Sequence, residues 1–145
     1  MNRLVQISDA IVSELNAHVF SQAFVAARTW NPKEDLENLT QLTVRVVPVD
    51  VSESPLSRTS IDGIYSPQIA VIKRVFDDSE CDEMAQIMQE MADYLTFEKK
   101  KSLDLLPSAT LQRVDFNPLY NLDLLREMRL WFGVLVPQYL MASDA

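Results

Sequence analysis

The chain has 145 residues, 48% of them apolar, and a formal net charge of −8. Length and apolar fraction together favour one domain with a real core and exclude a disordered chain. The negative balance excludes non-specific binding to nucleic acid or acidic membranes, which needs clustered Lys and Arg. A single cysteine, Cys81, rules out an internal disulfide and fits a reducing compartment. Asp9, Glu14 and Asn16 interrupt any leader-like apolar run, and the run Leu130 to Val136 is too short to cross a bilayer.

In chain order, Arg3 to Ala17 reads as a helix with Leu4, Ile7, Ile11 and Leu15 on one face and Arg3, Asp9, Ser13 and Glu14 elsewhere. Val19 to Trp30 changes to a strand period, with neither side strongly polar, and is expected as a strand covered on both sides for part of its length. Asn31-Pro32 ends it, and Lys33 to Leu39 has the makings of one helical turn. Leu42 to Val51 is a second strand whose Pro48, lacking an amide donor, marks an edge or a bulge.

Ser52 to Ser66 holds Pro55, four serines between Ser52 and Ser60, and the turn pair Asp62-Gly63. It is expected as a long polar loop, of a kind that is usually functional or disordered. Ile61, Ile64 and Tyr65 give it apolar atoms. Two readings stand side by side: a loop that orders against a partner, or a mobile hairpin tip whose apolar residues tuck back onto the domain.

Gln68 to Phe76, rich in β-branched residues and bounded by Pro67 and Asp77-Asp78, is a buried or half-buried strand. Ser79 is placed to cap the next helix, with Glu80, Asp82 and Glu83 at its positive end. Met84, Ile87, Met88, Met91 and Leu95 make that helix's apolar face. Lys99, Lys100 and Lys101 follow its negative end and open a connection that runs to Pro107. Ala109 to Phe116 alternates as a strand. Asn117-Pro118 has the cap-then-proline form of a helix start, with Leu119, Leu122 and Leu125 behind it. Met128 to Tyr139 is read as a last strand, bulged at Gly133 and ended near Pro137, with a continuing helix as the rival. The whole is an α+β domain spanning 1–145, with a mostly antiparallel sheet of four to five strands, two main helices on one face, and the polar loop at 52–66.

No constellation for catalysis, metal or cofactor is evident. His18 is the sole histidine and sits at a helix end. Cys81 lies in a first helical turn, which favours a thiolate, but Asp78, Glu80, Asp82 and Glu83 oppose it. The acidic run 77–83 lacks the turn glycine of a calcium loop, and Gly63 and Gly133 alone make no phosphate-cradling loop.

The opening helix Leu4 to Ala17, the valine-rich strand Val44 to Val51 before a long polar stretch, the strand–helix pair Gln68 to Leu95 and the closing run Leu119 to Val136 resemble, in order and texture, the tail terminator (tail completion) proteins of long-tailed bacteriophages. The resemblance implies a non-enzymatic virion protein of the phage tail, assembled in the host cytoplasm and needing no cofactor. It implies a homo-oligomeric ring, typically a hexamer, that caps the tail tube protein, stops polymerisation and presents a head-tail joining surface to the head-side connector. DNA would pass an acidic lumen without specific binding. On this reading Arg58, Ile61, Ile64, Tyr65, Lys99, Lys100 and Lys101 are the expected partner and subunit interface, with the cations meeting Glu83, Glu90 and Asp93 of a neighbour. A head-closure or neck protein of the same machinery, and a small acidic adaptor or hydrolase, are the alternatives.

Overall fold

Asn2 starts the first helix, its side-chain Oδ1 accepting from the Val5 amide at 3.1 Å. Helix α1 runs Arg3–Ala17, and Leu4, Ile7, Ile11 and Leu15 are all buried along it as their spacing predicts. The computed structural model describes residues 2–31, 39–58, 60–98 and 102–144, so the turn expected from Lys33 and the three lysines 99–101 lie outside the described residues.

The chain leaves α1 at His18 and does not form the strand expected from Val19. Only Ala26–Arg28, β1, is strand. Val19 and Val25 are 90% and 75% exposed, so the segment before β1 is not sandwiched between layers. It is tied instead to the second helix: the Ser21 amide donates to Glu90, and Gln22 Nε2 to the Glu83 carbonyl at 3.1 Å. Phe20 and Phe24 pack against each other there, and Phe20 meets the rings of His18 and Tyr94. Asn16 then sets β1, its amide donating to the Ala26 carbonyl at 3.0 Å and accepting the Ala26 amide at 2.7 Å.

Strand β2 is Thr43–Pro55, β3 is Ser60–Arg74, β4 is Thr110–Phe116 and β5 is Leu130–Asp144. They form one five-stranded sheet in the order β1-β2-β3-β5-β4. Only β1–β2 is parallel; the other three pairings are antiparallel. Helix α2, Asp78–Asp93, follows β3, and a π-helical turn Tyr94–Glu98 extends it. Asp77, not Ser79, caps α2, accepting the Glu80 amide at 2.8 Å. Met84, Ile87, Met88, Met91 and Leu95 are fully buried, the face read from their spacing.

Helices α1 and α2 cover one side of the sheet, over Val44, Val46, Tyr65, Ile69, Val71, Leu135 and Tyr139. The reverse side buries Ala70, Ile72 and Leu130 under Leu39, with Leu124 and Phe132 beside them. Leu124 belongs to α3, Leu122–Met128, which begins four residues later than Asn117-Pro118 suggested and is capped by Asn121. Arg129 ends it in the left-handed region at φ 52°. The Asn117–Pro118 bond is cis, and these residues make a turn rather than a helix start.

The stretch 52–66 is not an irregular loop. Val51↔Tyr65, Glu53↔Gly63 and Pro55↔Ile61 pair as strand, leaving 56–58 at a tip. Likewise β5 keeps one register past Gly133 with no bulge there, and runs through Pro137 to Asp144. Cross-strand hydrogen bonds outweigh the turn signals of the serines and of Asp62-Gly63, because each residue already has a partner strand alongside.

The registers reveal a row of prolines. The pairs Tyr65↔Tyr139 and Ile69↔Leu135 set Pro67 opposite Pro137, and Val47↔Gln68 brings Pro48 level with Pro67. All three are buried. A shift in β2 between Val47 and Asp50 falls at this row, at the Pro48 that the sequence marked as an edge or a bulge. Proline donates no backbone hydrogen bond, so three adjacent strands lack donors on one line. The row divides the sheet into a base and a distal arm made of 49–58, 60–66 and 138–144, in which Tyr65 and Tyr139 still lie under the helices while 49–58 is exposed. Native-state hydrogen exchange is expected to separate them, with Val51 and Ile64 amides exchanging through a local opening and Val44 and Val71 only through global unfolding. Equal protection on both sides of the row would refute this division.

Candidate functional site

The predicted interface residues fall into three groups. Arg58 sits at the exposed tip between β2 and β3. Ile64 lies on the reverse side of the arm, 41% exposed, and Ile61 is half-buried. Tyr65 does not belong with them: it is fully buried on the helix side. Alternation explains the split, since Ile64 and Tyr65 are neighbours in one strand and face opposite ways. Lys99, Lys100 and Lys101 are outside the described residues. Of the acids proposed to meet them, Glu90 already accepts from the Ser21 amide and hydroxyl, and Asp93 accepts from Gln89 Nε2 at 2.9 Å.

Tyr65 has a holding role instead. Its hydroxyl donates to Glu53, and Arg3 Nη1 donates to the same carboxylate at 2.9 Å. The start of α1 is thereby fastened to the arm. Gly63 makes room for this, since a Cβ there would overlap the Tyr65 ring. Burial first, then the Glu53 hydrogen bond and charge, push the Tyr65 phenol above its ordinary range.

A second polar cluster lies in the core. Glu14, which the sequence placed off the apolar face, is only 3% exposed. Its carboxylate accepts from the Tyr94 hydroxyl at 3.1 Å and the Asp104 amide at 2.9 Å. His18 stacks on the Tyr94 ring at 4.1 Å and approaches Glu98 at 3.5 Å, consistent with the helix-end place read for it. The Tyr139 hydroxyl is buried nearby with no hydrogen-bond partner among the described residues. Burial, and secondarily the Glu14 charge, raise its pKa.

Tyr65 and Tyr139 together predict an alkaline signature. Both phenols ionise later in the folded than in the unfolded chain, so the folded state holds these protons more tightly. Their contribution is complete below about pH 10 and declines as pH rises above it. An absorbance titration near 295 nm is expected to show at least two of the four tyrosines silent until the chain unfolds. Ionisation of all four in an intact fold would refute it.

Burial, followed by Asp78, Asp82, Asp77 and Glu80, pushes the Cys81 thiol up and keeps it protonated. No three His, Cys, Asp or Glu side chains converge to hold a metal ion among the described residues. No described helix is long and apolar enough to cross a membrane.

What the arrangement offers is strand edge. β1 pairs with β2 only over Val44–Val46, so beyond the proline row β2 has no strand on its outer side among the described residues. Residues 49–58 are all exposed. On the opposite side β4 is outermost, and only Thr110 of it is bridged, by Ser102. Sequence reasoning marked Pro48 as an edge or a bulge but missed that the β2 edge continues to Pro55, because the serines of 52–60 read as loop. The chain matches no family model, and no curated protein is significantly similar to it.

Proposed function

We propose that this protein is a structural subunit that self-associates into a ring, caps the tail tube of a long-tailed bacteriophage, ends its polymerisation and offers the joining surface to the head-side connector. The observation that carries the reading is the pair of sheet edges with no outer strand among the described residues, one along β2 beyond the proline row and another at β4. Open edges of this length are ordinarily blunted or paired, and a ring pairs them. The order of elements agrees with the resemblance drawn from the sequence, from an opening helix through paired strands to a long closing strand. The arm tip with Arg58, and Ile64 on the reverse side, supply a surface for the tube or the connector.

Sedimentation gives the first test, since a closed ring runs near six times the 16.5 kDa of one chain. The second is complementation of a terminator-deficient phage, scored by tail length. Tails of normal length with the wild-type chain support the proposal. A chain that neither assembles nor affects tail length overturns it.

A further inference from the structure

We infer that successive copies join edge to edge, the outer edge of β2 at 49–54 in one copy pairing with the outer edge of β4 at 112–116 in the next. This rests on the ring reading above and specifies its joint. Neither edge has a strand on its outer side among the described residues, and another extended strand is what satisfies such an edge in alternation. Prolines 48 and 55 bound the first edge, and the Ser102 bridge to Thr110 bounds the second. Each leaves five or six residues of free strand, close to the length of an ordinary one.

Charge and the number of edges decide which strand fits. Pairing β2 with its own copy about a two-fold axis centred on 49–54 would set Asp50 against Glu53, and like charges across a ladder destabilise it. Pairing β4 with itself about Val114 would set Arg113 against Asp115, which charge allows, but would leave the β2 edge of every copy bare. Pairing β2 with β4 brings Arg113 towards Asp50 instead, Glu53 being held already by Arg3 and Tyr65. Arg113 now pairs with Asp115 at 3.1 Å, but both are well exposed, so that contact is worth little and is readily exchanged. Apolar surface complements the charges. Val49 and Val51 are about half exposed on one edge. On the other, Phe116 and the largely exposed Phe97 flank a groove with Ala92 and Val114. Such a joint uses two different surfaces, so the growing oligomer always carries one free edge of each kind, and growth stops only by closing on itself.

Cysteine cross-linking in a Cys81→Ala background tests this. Two double variants cover the two strand directions that set Arg113 opposite Asp50: Val51→Cys with Gln112→Cys for antiparallel pairing, and Ser52→Cys with Asp115→Cys for parallel pairing. At least one is expected to give a ladder of covalent multimers on mild oxidation, while each single variant stays uncrosslinked. Arg113→Glu is expected to lose the larger species in sedimentation, and adding Asp50→Arg to restore them. Dimers from Ser52→Cys alone would mean β2 pairs with itself and would overturn the inference. Ring-sized particles without cross-links in either double variant would overturn it while leaving the ring standing. A cross-linked ladder that never closes would uphold the joint and sink the ring. Monomers without cross-links would remove both.

Discussion

Met88→Asp is expected to leave the chain unfolded at neutral pH. Met88 is fully buried at the centre of the α2 face, and the Trp131 indole nitrogen donates to its sulfur at 3.4 Å. A carboxyl there must stay protonated, and holding one neutral at pH 7 against an ordinary value near 3.9 costs about 4 kcal/mol. Losing the methionine's packing adds about 2 kcal/mol or more. Together these approach the ~5–15 kcal/mol that holds a domain of this kind folded. The sign of the pH effect separates the two costs. A carboxyl whose folded pKa is raised penalises folding above its unfolded value and not below it, so the deficit relative to the parent should shrink towards pH 4. Met88→Asn, with no titrating group, should show a deficit that does not change with pH. Denaturant midpoints of both variants between pH 4 and pH 7.5 provide the measurement, and a Met88→Asp chain as stable as the parent at pH 7.5 would refute the packing.

Gly133→Ala is the second large effect, and its sign runs against propensity. Alanine in a strand normally gains roughly 0.5–1 kcal/mol over glycine. Here the added methyl would overlap the Leu119 carbonyl oxygen and the Met88 side chain. The Met88 end can move, but the Leu119 carbonyl cannot. It follows Pro118, whose carbonyl accepts the Val134 amide at 2.9 Å, while the Asn117 amide donates back to the Val134 carbonyl at 2.9 Å. Overpacking against fixed backbone costs about 3 kcal/mol and outweighs the propensity gain. The melting temperature should fall by about 10 °C. Adding Met88→Ala should not rescue it, because the carbonyl remains in place. Full rescue would show that Met88, rather than the 117–119 turn, sets the limit.

These two positions also show how much the sequence makes legible. The spacing of Met84, Ile87, Met88, Met91 and Leu95 is enough to find the buried face, because a helix's period is local and needs no partner. The α+β class follows from the same local periods. Gly133 is readable as special but not for the right reason, since its requirement comes from Leu119 and Met88, which only the fold brings near. The arm fails for a related cause. Ser52, Ser54, Pro55 and Asp62-Gly63 are turn signals by residue type, yet each lies opposite a strand partner that sequence distance hides. Glu14 looked solvent-facing because its type is usually so; Tyr94 and Asp104, some eighty to ninety residues away, make its burial tolerable. Of the candidate surface, Ile64 and Arg58 were legible as outward residues, while Tyr65 was misassigned with them by one step of strand alternation.

The place of β5 between β3 and β4 has a consequence for synthesis. Chains leave the ribosome N-terminus first, and here the strand that occupies the inner position is made after both of its neighbours. Until residues 130–144 emerge, β4 has no partner strand among the described residues, and β3 shows a bare edge along Ile69, Val71 and Tyr65. Pairings that wait on distant segments are slow and leave intermediates open to misassociation. A nascent chain stalled near Arg129 is therefore sticky along β3. Only once residues 130–144 have emerged is that edge buried, which leaves the outer two as the sheet's edges among the described residues.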